Sequence, residues 1–194
     1  MSDPPSFKLQ PCPSTSHLLI PAQTYLSQNQ VEPVCKFLAT GAFVFSASRI
    51  LLLQRAPGDS MPNLWETPGG ACDDNDQTIL HAVARELWEE TMLVARSVGP
   101  MVGEGYTFKT RTGKMIRKLN FIVEVERRDF DGKSNGNSSI DVQLCPEEHQ
   151  AFVWATEEEV RAYKVGDVEI GFTKPEQEAV VLEAFAGLKG SAGA

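Results

Sequence analysis

The chain holds no apolar run near the ~18 residues that a membrane span requires, and its N-terminus, "MSDPPSFKLQPCPSTS", lacks the basic-then-apolar layout of a secretory signal. Its four cysteines, Cys12, Cys35, Cys72 and Cys145, form no CxxC pair, which argues against a zinc site. Widely spaced thiols without a signal fit a reducing compartment. The expectation is a cytoplasmic protein, with the nucleus also open, and no membrane partner. Positive charge is scarce as well: 18 Lys and Arg stand against 26 Asp and Glu, a net charge of −8. That balance disfavours bulk nucleic-acid binding through a basic surface. An anionic ligand would need local cations or a metal. No internal repeat is visible.

What remains is an ordinary globular composition, 42% hydrophobic and 23% charged over 194 residues, enough for one packed domain. Residues 1–30 read as a Pro- and Ser-rich arm, partly flexible, loosest over 1–16 and with a strand or short helix in "LLIPAQTYLSQNQ". Residues 31–190 form the main domain and 191–194 a flexible tail. Strands are expected at 37–46 and 50–55, joined by a tight "ASR" turn. The run Ile50–Leu53 reads as a strand buried on both faces. A long loop, "PGDSMPNLWETPGGACDDND", has Trp65 as its one large apolar anchor. Leu80, Val83, Ala84, Leu87 and Thr91 then fall on one helical stripe, predicting a helix over Thr78–Leu93. Further strands are expected at 101–110, 115–126 and 150–155, the first two a hairpin turning at Thr112-Gly113. The polar stretch "DFDGKSNGNSSID" (129–141) reads as a mobile loop or small insertion. Capping boxes at Thr156-x-x-Glu159 and Thr173-x-x-Glu176 predict two closing helices. The sum is an α+β fold, a mixed sheet with helices packed on it.

One stretch resists a structural explanation. "RELWEE" (85–90) places three carboxylates within five positions, and at about 100° per residue Glu89, Glu86 and Glu90 form one flank beside the apolar stripe. Like charges at i,i+4 cost an isolated helix a few tenths of a kcal/mol per pair. A solvated acidic face is the ordinary reading, but such a face interleaves lysines, and positions 77–95 contain one cation, Arg85. A Pro-Gly-Gly turn also leads into the helix, bringing backbone carbonyls within reach of an ion or phosphate. Carboxylates with carbonyls and water make a hard-oxygen site for Mg²⁺ or Mn²⁺.

Residues 70–93 resemble the Nudix box, Gly-x5-Glu-x7-Arg-Glu-U-x-Glu-Glu-x-Gly-U, where U is a bulky aliphatic residue. Arg85, Glu86, Leu87, Glu89, Glu90 and Leu93 match in spacing and type, and the flanking "GAFVF…ILLLQR…WETPGG" is similar to the family's preceding strands and loop. Three departures stand out. Gly70 to Arg85 spans 15 positions where the family pattern has 14, the first box glutamate falls on Gln77 with Asp76 beside it, and Met92 takes the place of the late glycine.

The resemblance implies a Nudix-like α/β/α sandwich and hydrolysis of a nucleoside diphosphate linked to another moiety, by water attack on a phosphorus. It also implies Glu86 and Glu90 as principal metal ligands, Glu89 and the Gly70 carbonyl as further ones, and Arg85 as the partner that holds a glutamate in position. Family members often add a carboxylate from a later loop, as ligand or general base; Glu148, six residues before Trp154, matches that place, with Glu147 and Glu124 as alternatives. His149 reads as a surface residue. Arg55 matches a position that often meets substrate phosphate. Lys109, Arg111 and Arg117 on the expected hairpin are further candidates, although strand alternation allows only some of them to share a face. Tyr106 and Phe108 are open to base stacking, whereas Trp65 and Trp88 read as core. The family markers for ADP-ribose, dinucleoside polyphosphate or coenzyme A substrates are absent, so the substrate stays open, as does a monomer or homodimer. Two other readings remain: a catalytically weak Nudix-like nucleotide-binding or sensing module, motivated by the departures, and a diphosphate isomerase on the same fold, motivated by the free cysteines.

Overall fold

A computed structural model describes residues 5–126 and 140–191. Most of the polar stretch at 129–141 and of the expected tail therefore lies outside the described residues. The lead-in comprises β1 (Gln10–Pro11), a 3₁₀ turn (Pro13–Leu18) and α1 (Ala22–Gln28). It packs more closely than its composition suggests. β1 pairs in parallel with a later strand, and Leu18, Tyr25 and Leu26 are buried in the main core.

The chain then forms β2 (Phe37–Phe43), β3 (Phe45–Ser46), β4 (Arg49–Arg55) and β5 (Trp65–Glu66). β4 organises both halves of the molecule. Leu51 and Leu53 face one apolar cluster while Ile50 and Leu52 face the other, and all four side chains are fully buried. At about 1.5–3 kcal/mol for each such side chain, this short strand is a principal source of stability.

Helix α2 (Ile79–Thr91) follows, with Thr78 as its N-cap accepting from His81 N. Its stripe Leu80, Val83, Ala84 and Leu87 enters the first cluster, as the periodicity predicts. β6 (Ala95–Lys109) and β7 (Met115–Val125) form the expected hairpin through Gly113, whose φ is 84°. β6 begins six residues before the predicted start. Its register shifts three times, and Gly103 and Gly105, at φ 62° and 76°, accommodate the last shift. The remaining elements are β8 (His149–Ala155), α3 (Glu157–Arg161), the small hairpin β9 (Lys164–Val165) and β10 (Val168–Glu169), and α4 (Pro175–Ser191). Thr156 and Glu159 make the reciprocal capping box. At the second expected box Thr173 instead donates its hydroxyl to Gln177 Oε1 at 2.9 Å.

The strands make one mixed sheet, ordered β1-β6-β7-β2, in which β2 lies parallel to β7. A second sheet has β4 paired antiparallel with β3, β5 and β8. α2 packs on the first core, and Val160 of α3 with Val181 and Phe185 of α4 packs on the second. The result is the α/β/α layering expected of an α+β sandwich.

Met92 closes α2 in the left-handed conformation, φ 56° and ψ 15°, with its N–H on Trp88 O at 2.8 Å. The exit turn therefore keeps the geometry that glycine would adopt freely, at a steric cost of about 1–2 kcal/mol to a residue bearing a Cβ. Glycine there loses more entropy on folding, which offsets part of the gain. Met92→Gly should raise the urea-unfolding free energy by about 0.5–1 kcal/mol; a loss of stability would show that packing of the Met92 side chain dominates.

Candidate active site

The site is assembled where the Pro68-Gly69-Gly70 loop crosses β2. Ala42 N donates to Pro68 O and Thr40 N to Gly70 O, both at 2.8 Å, so the loop is laid down as an irregular extra strand. Gly69 has φ 141°, and a Cβ there would stand 2.2 Å from Thr40 O, a position that only glycine fills. A Cβ on Gly70 would stand 2.5 Å from Glu86 Oε2. The loop backbone thus rests directly on the acidic flank of α2.

Each helix acid has a different environment. Glu90 is 4% exposed, and Gly69 N donates to its Oε2 at 2.7 Å. Burial pushes its pKa well above the usual carboxylate range, Glu66, Glu86 and Glu148 add to the shift, and the Gly69 N–H opposes it. Burial also raises Glu86, to about 7, against the opposing pull of Arg85. Glu89 is more open, and its Oε2 accepts from Arg85 Nη1 at 2.8 Å. Arg85 engages all five guanidinium N–H groups: two bonds to Asp76, one each to Glu86 and Glu89, and one to Ala71 O, all at 2.8–2.9 Å. Asp76 thereby anchors the arginine, while its neighbour Gln77 is exposed.

The C-terminal end of α2 positions the later loop. Glu90 O and Thr91 O accept from Cys145 N and Gln143 N, at 3.2 and 3.0 Å. This brings Glu148 and His149 back beside the helix, where donor atoms of Glu90, Glu148 and His149 lie within 4.8 Å of one another. Glu148 is exposed. His149 is 2% exposed, contrary to the surface placement expected from sequence, because it pairs with Arg55 across β4 and β8 and faces Glu66, with Nε2 3.4 Å from Glu66 Oε1. Glu124 instead accepts from Ser97, and exposed Glu147 accepts from the Cys145 thiol.

Glu66 and Lys118 are site residues that the sequence reading missed. Glu66, from β5, forms an ion pair with Arg55 at the end of β4. Burial would raise its pKa, but the His149 hydrogen bond and the charges of Lys118 and Arg55 outweigh that and hold it low. An acid inside "WETPGG", on a segment that pairs with a buried strand, was the available signal.

A cavity of about 590 Å³ opens beside these acids, lined by Arg55, Glu66, Gly70, Tyr106, Phe108 and Arg111 among others. The Tyr106 and Phe108 rings lie 6.0 Å apart, and Lys174 Nζ sits 4.7 Å over the Phe108 ring. Lys109 also lines the cavity, whereas Arg117 is bonded to Glu104 O. Trp65 and Trp88 are core residues, as expected. Carboxylate oxygens from Glu86, Glu90 and Glu148, with the Gly70 carbonyl keeping one lone pair, match the donor set that hard divalent cations take. Burial, the first cause of the raised pKa values of Glu86 and Glu90, disfavours their charged forms, which a bound cation would favour.

Comparison with known proteins agrees with this arrangement. The NUDIX domain family model matches residues 36–173. A CTP pyrophosphohydrolase of Escherichia coli (strain K12) is 30% identical over 148 residues, covering 76% of this chain and 90% of that protein. Among solved structures, the E. coli ORF135 protein superposes with a TM-score of 0.55 at 25% identity, covering 84% of this chain and 97% of its own. The MutT protein from Methanosarcina mazei Go1 gives 0.56 at 23% identity, covering 79% and 94%. The chain belongs to the Nudix family and is a hydrolase acting on pyrophosphate bonds.

Proposed function

We propose that the chain is a divalent-metal-dependent pyrophosphohydrolase of a nucleoside diphosphate linked to a further moiety, with a nucleoside triphosphate as the first candidate. The observation that supports it best is the buried Glu90–Glu86 pair against the Pro-Gly-Gly loop, whose Gly69 and Gly70 also line a cavity that carries cations and two aromatic rings. CTP heads the candidates because the relative above is a CTP pyrophosphohydrolase.

In this reading Glu86 and Glu90 are the principal ligands of Mg²⁺ or Mn²⁺, with Glu89, Glu148 and the Gly70 carbonyl as further oxygens. When bound, the cation supplies positive charge against the substrate phosphates and acidifies the attacking water. Arg85 holds Glu86 and Glu89 in place and, tied to Asp76 and Ala71, cannot swing toward the substrate. Glu148, on the open side, accepts the proton of the attacking water as the P–O–P bridge breaks. Arg55 and Arg111 meet the phosphate chain. Tyr106 and Phe108 support the base, which takes the ring face of Phe108 that Lys174 leaves free.

A panel of CTP, other nucleoside triphosphates and nucleotide sugars with Mg²⁺ or Mn²⁺ tests the proposal, and turnover of none would overturn it. Glu90→Gln should lower kcat by more than about 10²-fold, because removing even an indirect metal partner costs 10–100-fold, while circular dichroism stays unchanged. Near-normal turnover would remove Glu90 from the metal site.

Glu86 sets a pH dependence. Its pKa rises from 4.5 to about 7 on folding, so between those values the folded chain holds a proton that the unfolded chain has released. Stability without added metal should therefore fall as pH rises through that window and stay low above it, by on the order of 1–3 kcal/mol for this group. In thermal melts with chelator, Glu86→Gln should flatten this dependence. Mg²⁺ should raise the wild-type melting temperature more at pH 8 than at pH 5, and an equal shift at both would exclude Glu86 as a ligand.

A further inference from the structure

Lys118 is 6% exposed, yet among the described residues it forms no ion pair or hydrogen bond. Two cations near it already have acid partners: Arg55 pairs with Asp59 and Glu66, and Arg85 with Asp76, Glu86 and Glu89. Burial disfavours the charged form of Lys118 and pushes its pKa down, and the acids that oppose this, Glu66, Glu90 and Glu86, stand beyond ion-pair contact. The fold nevertheless makes room for it. Ala39 is its register partner on β2, and a Cβ on Gly41 would stand 3.1 Å from Lys118 Cε. On its other side Lys118 is in register with Tyr106, while Phe108 faces Ile116. Lys118 therefore lines the cavity on the β7 face that adjoins the two rings, and Gly69 and Gly70 line the same cavity.

We propose that Lys118 is a substrate-binding residue that holds the phosphate adjoining the nucleoside, between the aromatic pair and the acidic helix. The inference rests on the reading of Tyr106 and Phe108 as the base support. An anion there completes the missing ion pair, and the lysine marks which phosphate stays with the nucleoside product.

Titration calorimetry with Mg²⁺ present, using CMP, UMP, AMP and GMP against the corresponding uncharged nucleosides and pyrophosphate, tests this. Lys118→Met should weaken binding of the monophosphate that the wild type binds by about tenfold or more, a loss of about 1.4 kcal/mol. It should leave nucleoside affinity unchanged, and Lys118→Arg should recover most of the loss. Lys118→Gln serves the same purpose if the Met variant does not fold. Unchanged monophosphate affinity, an equal loss for the nucleoside, or a loss confined to pyrophosphate would overturn the assignment. A wild type that binds no monophosphate would instead refute the nucleotide reading beneath it, and this inference with it.

Discussion

Crowded negative charge in a place with little water is the constraint on which the rest of this structure depends. Glu66, Glu86 and Glu90 converge under one loop, each half-buried or more, and their mutual repulsion is stronger there than it would be at the surface. The protein contains the repulsion with directional contacts. Arg85 spends every donor it has on Asp76, Glu86, Glu89 and Ala71, and Arg55 takes Glu66. Glu90 receives a single backbone N–H from Gly69. The Pro-Gly-Gly geometry, the register of the loop on β2 and the left-handed exit at Met92 all serve to bring these groups to that one place.

β4 connects this polar centre to the rest of the molecule. Its apolar residues divide between the two cores, and its C-terminal Arg55 reaches Glu66 from the strand hydrogen-bonded beside it. A site on rigid, doubly buried backbone needs little ordering when substrate arrives. The aromatic and cationic wall comes from the β6–β7 hairpin of the other sheet, so the cavity lies where the two sheets meet.

The acidic helix was legible because unpaired charge density on a helix face, next to consecutive glycines, has few structural explanations. Its buried stripe followed from local spacing alone. Residues whose role depends on long-range pairing were not legible. Glu66 and His149 meet 83 positions apart in the chain, and neither carries a local sign of that contact. Arg117 and Lys118 are adjacent cations on one strand, and the pleat sends only one to the cavity. Because β6 is bulged three times, counting along the hairpin could not say which. The lead-in arm reads as loosest over 1–16 with a strand or short helix after it, and Leu18, Tyr25 and Leu26 of that second part supply the apolar surface that docks it.

The Pro68–Cys72 segment has one more consequence. β2 is the last strand of its sheet, and an unpaired strand border invites pairing with other chains. The loop that shapes the site also bonds along that border, through Thr40 N to Gly70 O, Ala42 N to Pro68 O and Cys72 N to Leu38 O. Protection against self-association and the positioning of Glu90 are thus carried by the same five residues. Variation in the loop is constrained by solubility as well as by chemistry.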